Sequence, residues 1–139
     1  MYVYTRSKFA LNVHPTQKLT VVRSMLMFAE CPAELAPLYN CACRYVKHFD
    51  AESKTGPNAA RVLTTVFYLN PDWVEADGGS LMIYGKEEDH LCEPLFNRLI
   101  VFWSDVRVPH EVLPAYSNRY AVTHWYYNSI IVSQQESEK

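Results

Sequence analysis

No run of apolar residues in this chain is long enough to cross a membrane: the longest, 19–29, is broken by Arg23 and falls well short of the ~20 residues that a spanning helix requires. A basic excess is missing too. The formal net charge is −2, so no general positive field exists to draw nucleic acid or an anionic membrane, and neither is expected as a partner. The start of the chain lacks the ordered charged, apolar and small-residue segments of a secretory signal, which makes a reducing compartment, cytoplasmic or nuclear, the expectation. Cysteine is scarce and wrongly spaced for a zinc site: of Cys31, Cys41, Cys43 and Cys92, the closest pair has one residue between them rather than two, and all four are read as free or buried thiols. Internal repeats and low-complexity tracts are absent as well, as is nearly all helical periodicity.

What remains is enough for one domain with a real core, since 49% of the 139 residues are hydrophobic. From residue 41 onward the pattern is strand-like, with turn signals roughly every ten residues. It predicts strands over 44–50, 61–70, 80–84, 98–103, 108–113 and 119–127, separated by the polar loop 51–60, Asn70-Pro71-Asp72, Gly78-Gly79, the charged loop 85–89 and Glu93-Pro94-Leu95-Phe96-Asn97. Upstream the signal is mixed: Tyr2-Val3-Tyr4 reads as a short strand, 19–28 as either a buried strand or a short helix, and 31–37, with Pro32 and Pro37, as a connector. Residues 129–132 read as a strand end and 133–139 as a frayed polar tail. The link 114–118 has hairpin length, so 108–113 and 119–127 are expected to be antiparallel neighbours. The fold class is all-β, a sandwich or jelly roll.

Chemistry concentrates in Tyr45-Val46-Lys47-His48-Phe49-Asp50. Side chains two apart on a strand share a face, so His48 and Asp50 are aimed at one point. With His110, from Val108-Pro109-His110-Glu111-Val112, they make the two-histidine, one-carboxylate set that leaves positions open on non-haem Fe(II) for a co-substrate and O₂. Arg119 is placed to hold the far carboxylate of a co-substrate such as 2-oxoglutarate, and the Tyr68 hydroxyl is an added donor. His-x-Asp alone is also what an exposed polar pair on an edge strand looks like. His124 is one step out of phase with Arg119, Ala121, Thr123 and Trp125 and should face away, while His14 and His90 read as solvated residues. Arg61 either meets substrate or caps a strand mouth. Of the aromatic residues, Trp125 is in phase with Arg119.

From Tyr39 to about Asn128 the chain resembles the Fe(II)/2-oxoglutarate-dependent prolyl 4-hydroxylase family, and most closely the branch containing the oxygen-sensing prolyl hydroxylases of hypoxia-inducible factor. The matching stretches are the His48-Asp50 segment, Val66-Phe67-Tyr68-Leu69-Asn70, Gly78-Gly79-Ser80-Leu81, Phe102-Trp103-Ser104-Asp105, Pro109-His110-Glu111-Val112 with Pro114-Ala115-Tyr116, and Arg119-Tyr120-Ala121-Val122-Thr123 with Trp125-Tyr126. The resemblance implies iron ligands at His48, Asp50 and His110 and 2-oxoglutarate donors at Arg119 and Tyr68. It implies Leu81 and Val112 as walls of that pocket, Thr123 and Trp125 near the iron and co-substrate, and Arg61 beside the mouth for a target peptide. It also implies a double-stranded β-helix (cupin-like jelly roll), L-ascorbate as reductant, and hydroxylation of a prolyl residue in a protein or peptide substrate, with succinate and CO₂ as co-products. The family's opening elements have no match in 1–38, which divides the chain into an unmatched segment 1–38, a core 39–128 and a tail 129–139 and leaves the β-helix expected to be N-terminally incomplete, its sheet edges uncovered. An inactive fragment or a non-catalytic β-sandwich binding module is the alternative reading.

Overall fold

Along residues 119–128 buried and half-buried side chains alternate without a break, as a strand with one face on a core requires. The computed structural model describes residues 2–4, 19–29, 43–51 and 60–128 of the chain. It holds nine strands among those residues: β1 (Tyr2–Tyr4), β2 (Leu19–Ala29), β3 (Cys43–His48), β4 (Arg61–Tyr68), β5 (Leu81–Ile83), β6 (His90–Cys92), β7 (Leu99–Trp103), β8 (His110–Ala115) and β9 (Arg119–Asn128). The helical content described is a single 3₁₀ turn, Glu75–Asp77.

The strands form two antiparallel sheets, one in the order β1-β7-β4-β9-β2 and one in the order β3-β8-β5-β6. From β3 onward the chain passes repeatedly from one sheet to the other, which is the winding of a double-stranded β-helix, so the jelly-roll expectation is met. The core lies between the sheets. Val66 and Tyr68 of β4, Ile100 and Phe102 of β7 and Ala121 of β9 pack there against Leu81 and Ile83 of β5 and Cys92 of β6. Ile100 is completely buried, and shortening a residue in such a position typically costs about 2–5 kcal/mol.

Several expectations change. Residues 108–113 and 119–127 are not a hairpin: β8 pairs with β3 and β5, whereas β9 pairs with β2 and β4 in the other sheet. Loop length does not distinguish a hairpin from a crossover, and the hydrogen bonds of the link decide. Tyr116 N donates to Asp77 O (2.8 Å) and Ser117 Oγ to Asp77 Oδ1 (2.6 Å), which ties the link to the 3₁₀ turn. Tyr120 N then donates to Asn70 Oδ1 (2.6 Å), which leads the chain in beside β4. The ambiguous stretch 19–28 is strand, and β1 and β2 from the unmatched segment occupy the two outer positions of the five-stranded sheet, where bare edges were expected. His90 belongs to β6 rather than to a solvated loop. The strand expected over 44–50 ends at His48, with Asp50 just beyond it. Cys92 is a buried free thiol, as read. His14, Cys31, Cys41, the connector 31–37, most of the loop 51–60 and the tail from 129 lie outside the described residues.

Candidate metal centre and anion pocket

Cross-strand register brings the two histidines together, because His48 of β3 is paired with His110 of β8. Their rings stand 4.3 Å apart, and Phe102 packs edge-on against His110 while Tyr45 does so against His48. Each ring is oriented by the carbonyl two residues before it: His48 Nδ1 is 2.8 Å from Val46 O and His110 Nδ1 is 3.0 Å from Val108 O. A carbonyl only accepts, so in the neutral rings Nδ1 carries the proton and Nε2 the lone pair. Those Nε2 atoms lie 3.5 Å (His48) and 3.8 Å (His110) from Asp50 Oδ1. Three ligand atoms within 4.8 Å of one another, two imidazole nitrogens and a carboxylate oxygen, suit one borderline-hard divalent ion such as Fe(II).

Electrostatics keeps these groups in their ligand forms. Burial pushes the Asp50 carboxyl up, but its contacts with the His48 and Thr64 side chains and the nearby His110 outweigh it, so its pKa lies below the usual carboxylate value. The buried Trp125 Nε1 adds a weaker pull on that carboxyl without reaching a hydrogen bond of ordinary geometry. Burial lowers the His110 imidazole, and the opposing Val108 carbonyl and Asp50 do not restore it. At neutral pH the centre therefore offers an anionic carboxylate and, at His110, a neutral imidazole.

His48, Asp50 and His110 open into a cavity of about 390 Å³ that Arg119 also lines. Arg119 is 7% exposed. Its Nε donates to Gly79 O (2.8 Å) and its Nη2 to Tyr68 Oη (3.1 Å), and among the described residues no carboxylate forms an ion pair with it. A buried, unpaired guanidinium is a standing demand for an anion. Tyr68 is completely buried, and that burial raises its pKa in spite of Arg119, so the phenol keeps its proton beside the guanidinium. Gly79, at φ +75°, makes room for the arginine: a Cβ there would stand 2.8 Å from Arg119 Cδ and 3.0 Å from Ala115 Cβ.

The remaining residues singled out from the sequence converge as well. Leu81, Val112, Thr123, Trp125 and Arg61 all line the cavity, and Tyr68 stands directly behind Arg119. The Arg61 guanidinium lies 4.2 Å over the Trp125 ring, donates from Nη1 to the Asp50 carbonyl (3.0 Å) and from Nε to Tyr127 Oη (2.8 Å), so it braces the backbone at Asp50. His124 falls on the half-buried face of β9, away from this set. Sequence reasoning passed over Thr64 and Ser104, which contact Asp50 directly and at one remove. The only signal for them was that Thr64 is in phase with Val66 and Tyr68 on an otherwise apolar wall.

Residues 36–127 match the family model described as the 2OG-Fe(II) oxygenase superfamily. Among curated proteins, Egl nine homolog 1 of Rattus norvegicus is 47% identical over 88 residues, covering 61% of this chain and 25% of its own length. Prolyl hydroxylase EGLN3 of Homo sapiens is 42% identical over 88 residues, 61% of this chain and 35% of its own. A solved prolyl hydroxylase from Trichoplax adhaerens, in complex with a hypoxia inducible factor oxygen degradation domain peptide fragment, superposes with a TM-score of 0.69 at 32% identity over 83% of this chain and 48% of that one. A Pseudomonas putida prolyl-4-hydroxylase gives a TM-score of 0.61 at 29% identity over 76% and 51%. The chain thus spans about a quarter of the first of these curated relatives and about half of the solved ones.

Proposed function

The chain belongs to the 2OG-Fe(II) oxygenase superfamily, and from that premise we propose that it is an Fe(II)- and 2-oxoglutarate-dependent dioxygenase that hydroxylates a prolyl residue of a protein, with oxygen sensing as its setting. The observation that carries the reading is one cavity lined both by a compact two-histidine, one-carboxylate cluster and by a buried guanidinium without a counter-ion among the described residues. His48, Asp50 and His110 hold the iron through Nε2, a carboxylate oxygen and Nε2. Arg119 and the Tyr68 hydroxyl take the far carboxylate of 2-oxoglutarate, a charge-assisted contact worth about 1.5–3 kcal/mol. Leu81 and Val112 are the apolar walls against its carbon chain and keep water from it, and Thr123 and Trp125 flank the metal side. When bound, iron and 2-oxoglutarate supply O₂-dependent oxidation, in which the co-substrate becomes succinate and CO₂ and one oxygen atom goes to the substrate.

The substrate reading is supported by the relatives, which are named as prolyl hydroxylases, and by the peptide bound to the Trichoplax adhaerens enzyme. Arg61 and Tyr45 lie on the cavity lining, where a proline-bearing segment would meet them. L-ascorbate as reductant and a cytoplasmic or nuclear location are part of the same proposal. The test is aerobic incubation of the chain with Fe(II), 2-oxoglutarate, ascorbate and an array of proline-containing peptides. Iron-dependent succinate that rises with a peptide and is matched by hydroxyproline supports the reading. No iron-dependent succinate would make the chain a non-catalytic module.

A further inference from the structure

We propose that Thr64 and Ser104 form a one-way hydroxyl chain that fixes the orientation of the Asp50 carboxylate, tying one oxygen back and leaving the other to the metal, a positioning role that rests on the metal-binding reading above. Thr64 is 1% exposed and Ser104 is fully buried, so neither hydroxyl relies on bulk water for a partner. Thr64 Oγ1 donates to Asp50 Oδ2, and because an ionised carboxylate only accepts, the single hydroxyl proton of Thr64 is committed there. The same Thr64 oxygen lies 2.8 Å from Ser104 Oγ. With the threonine proton already used, Ser104 must be the donor of that contact. The proton order runs from Ser104 to Thr64 to Asp50.

The chain has a fixed origin. Ser104 N donates to Val62 O (3.0 Å), and Ser104 O accepts from Ala51 N (2.8 Å), so the residue that starts the relay also pins the one that follows Asp50. With Oδ2 held by Thr64, Oδ1 is the oxygen left 3.5 and 3.8 Å from the two histidine nitrogens. Turning the carboxylate plane away from this orientation would lose the Thr64 contact, so the carboxylate is held with one oxygen on the hydroxyl and the other toward the two histidines. Hydrogen-bond partners of metal-bound carboxylates and imidazoles typically account for about 10–100-fold of metal affinity.

The experiment is anaerobic calorimetric titration with Mn(II) of the whole chain as wild type, Thr64→Val, Thr64→Ser, Ser104→Ala and the combined Thr64→Val/Ser104→Ala, with melting curves for each without metal. Valine keeps the shape of threonine and removes the hydroxyl, so Thr64→Val should weaken Mn(II) binding by about 10–100-fold, whereas Thr64→Ser should bind nearly as wild type. Ser104→Ala should weaken binding less, and it should have no further effect once Thr64 is valine, because Ser104 acts only through Thr64. A merely structural serine would lose the same amount in both backgrounds, and that result overturns the proposal, as does a Thr64→Val chain that binds like wild type. If Thr64→Val does not fold, the serine pair decides: Ser104→Ala must bind more weakly than Thr64→Ser, and equal or reversed affinities overturn the relay. Failure of the wild type itself to take up Mn(II) would instead overturn the metal reading beneath it.

Discussion

Replacing Arg119 with methionine separates a residue kept for its ligand from one kept for the fold. Removing the guanidinium from a site that is 93% buried relieves a desolvation penalty of several kcal/mol for an unpaired ion, but it also gives up the hydrogen bonds to Gly79 O and Tyr68 Oη, about 1.5–3 kcal/mol each. The two terms nearly cancel. Arg119→Met should therefore melt within a few degrees of wild type in the absence of 2-oxoglutarate. Its response to ligand should differ sharply. In the presence of Mn(II), 2-oxoglutarate at about 100 times its dissociation constant stabilises the wild type by about 2.7 kcal/mol, which at about 3–5 °C per kcal/mol for a chain of this size raises the midpoint by roughly 8–13 °C. In Arg119→Met the same concentration should give an increment close to zero. The assay is thermal unfolding by circular dichroism with and without 2-oxoglutarate, Mn(II) being present throughout. A variant that melts far below wild type yet keeps the full ligand increment would refute the reasoning and make Arg119 a structural residue.

Other consequences are equally direct. Gly79→Ala should weaken 2-oxoglutarate binding about tenfold while Mn(II) binding stays at the wild-type value, because the new Cβ meets Arg119 and not the ligands; equal losses of both in calorimetry would contradict this. His48→Ala, Asp50→Ala and His110→Ala should each lose measurable Mn(II) binding, with His124→Ala as an unaffected control, and wild-type affinity in any two of the three would remove the ligand assignment. Tyr68→Phe should weaken 2-oxoglutarate binding less than Arg119→Met, since it deletes one neutral donor, and the same titration measures it. The Asp77 carboxyl is held below its ordinary value by the Ser117 hydroxyl first and the Val74 N–H second. Its contribution to stability is thus present above the ordinary carboxylate value and lost as pH falls through the folded one. Ser117→Ala should move the Asp77 titration upward in an NMR pH series, and an unchanged titration would show that the tether guiding the β8 to β9 crossover is not made.

The chemistry was more legible than the topology, and the reason is local. His48 and Asp50 stand two residues apart in one short segment, close enough to be read as a pair although the strand stops at His48, and β9 carries an unbroken period of two that put Arg119, Thr123 and Trp125 on one face and His124 on the other. The partner of β8 was not legible, because residues 116–118 would fit a hairpin equally well and the deciding hydrogen bonds go to Asp77 and Asn70, about forty and fifty residues away in sequence. The strand β2 was hidden by an apolar run whose periodicity does not separate strand from helix. Thr64 and Ser104 were invisible for a related reason: small hydroxyl residues in strands are unremarkable until the pairing of β4 with β7 brings both beside Asp50. The need for glycine at position 79 was likewise a matter of what packs above it, namely Arg119 and Ala115.

The most direct test of the central claim is anaerobic visible spectroscopy of the Fe(II)-loaded chain titrated with 2-oxoglutarate, since a chelated 2-oxo acid gives Fe(II) a charge-transfer absorption that neither component shows alone. The wild type should develop this band to saturation at one 2-oxoglutarate per chain, Arg119→Met should need far more ligand to reach it, and His110→Ala should not show it. A wild-type chain that stays colourless, or a His110→Ala chain that colours like wild type, would contradict the account.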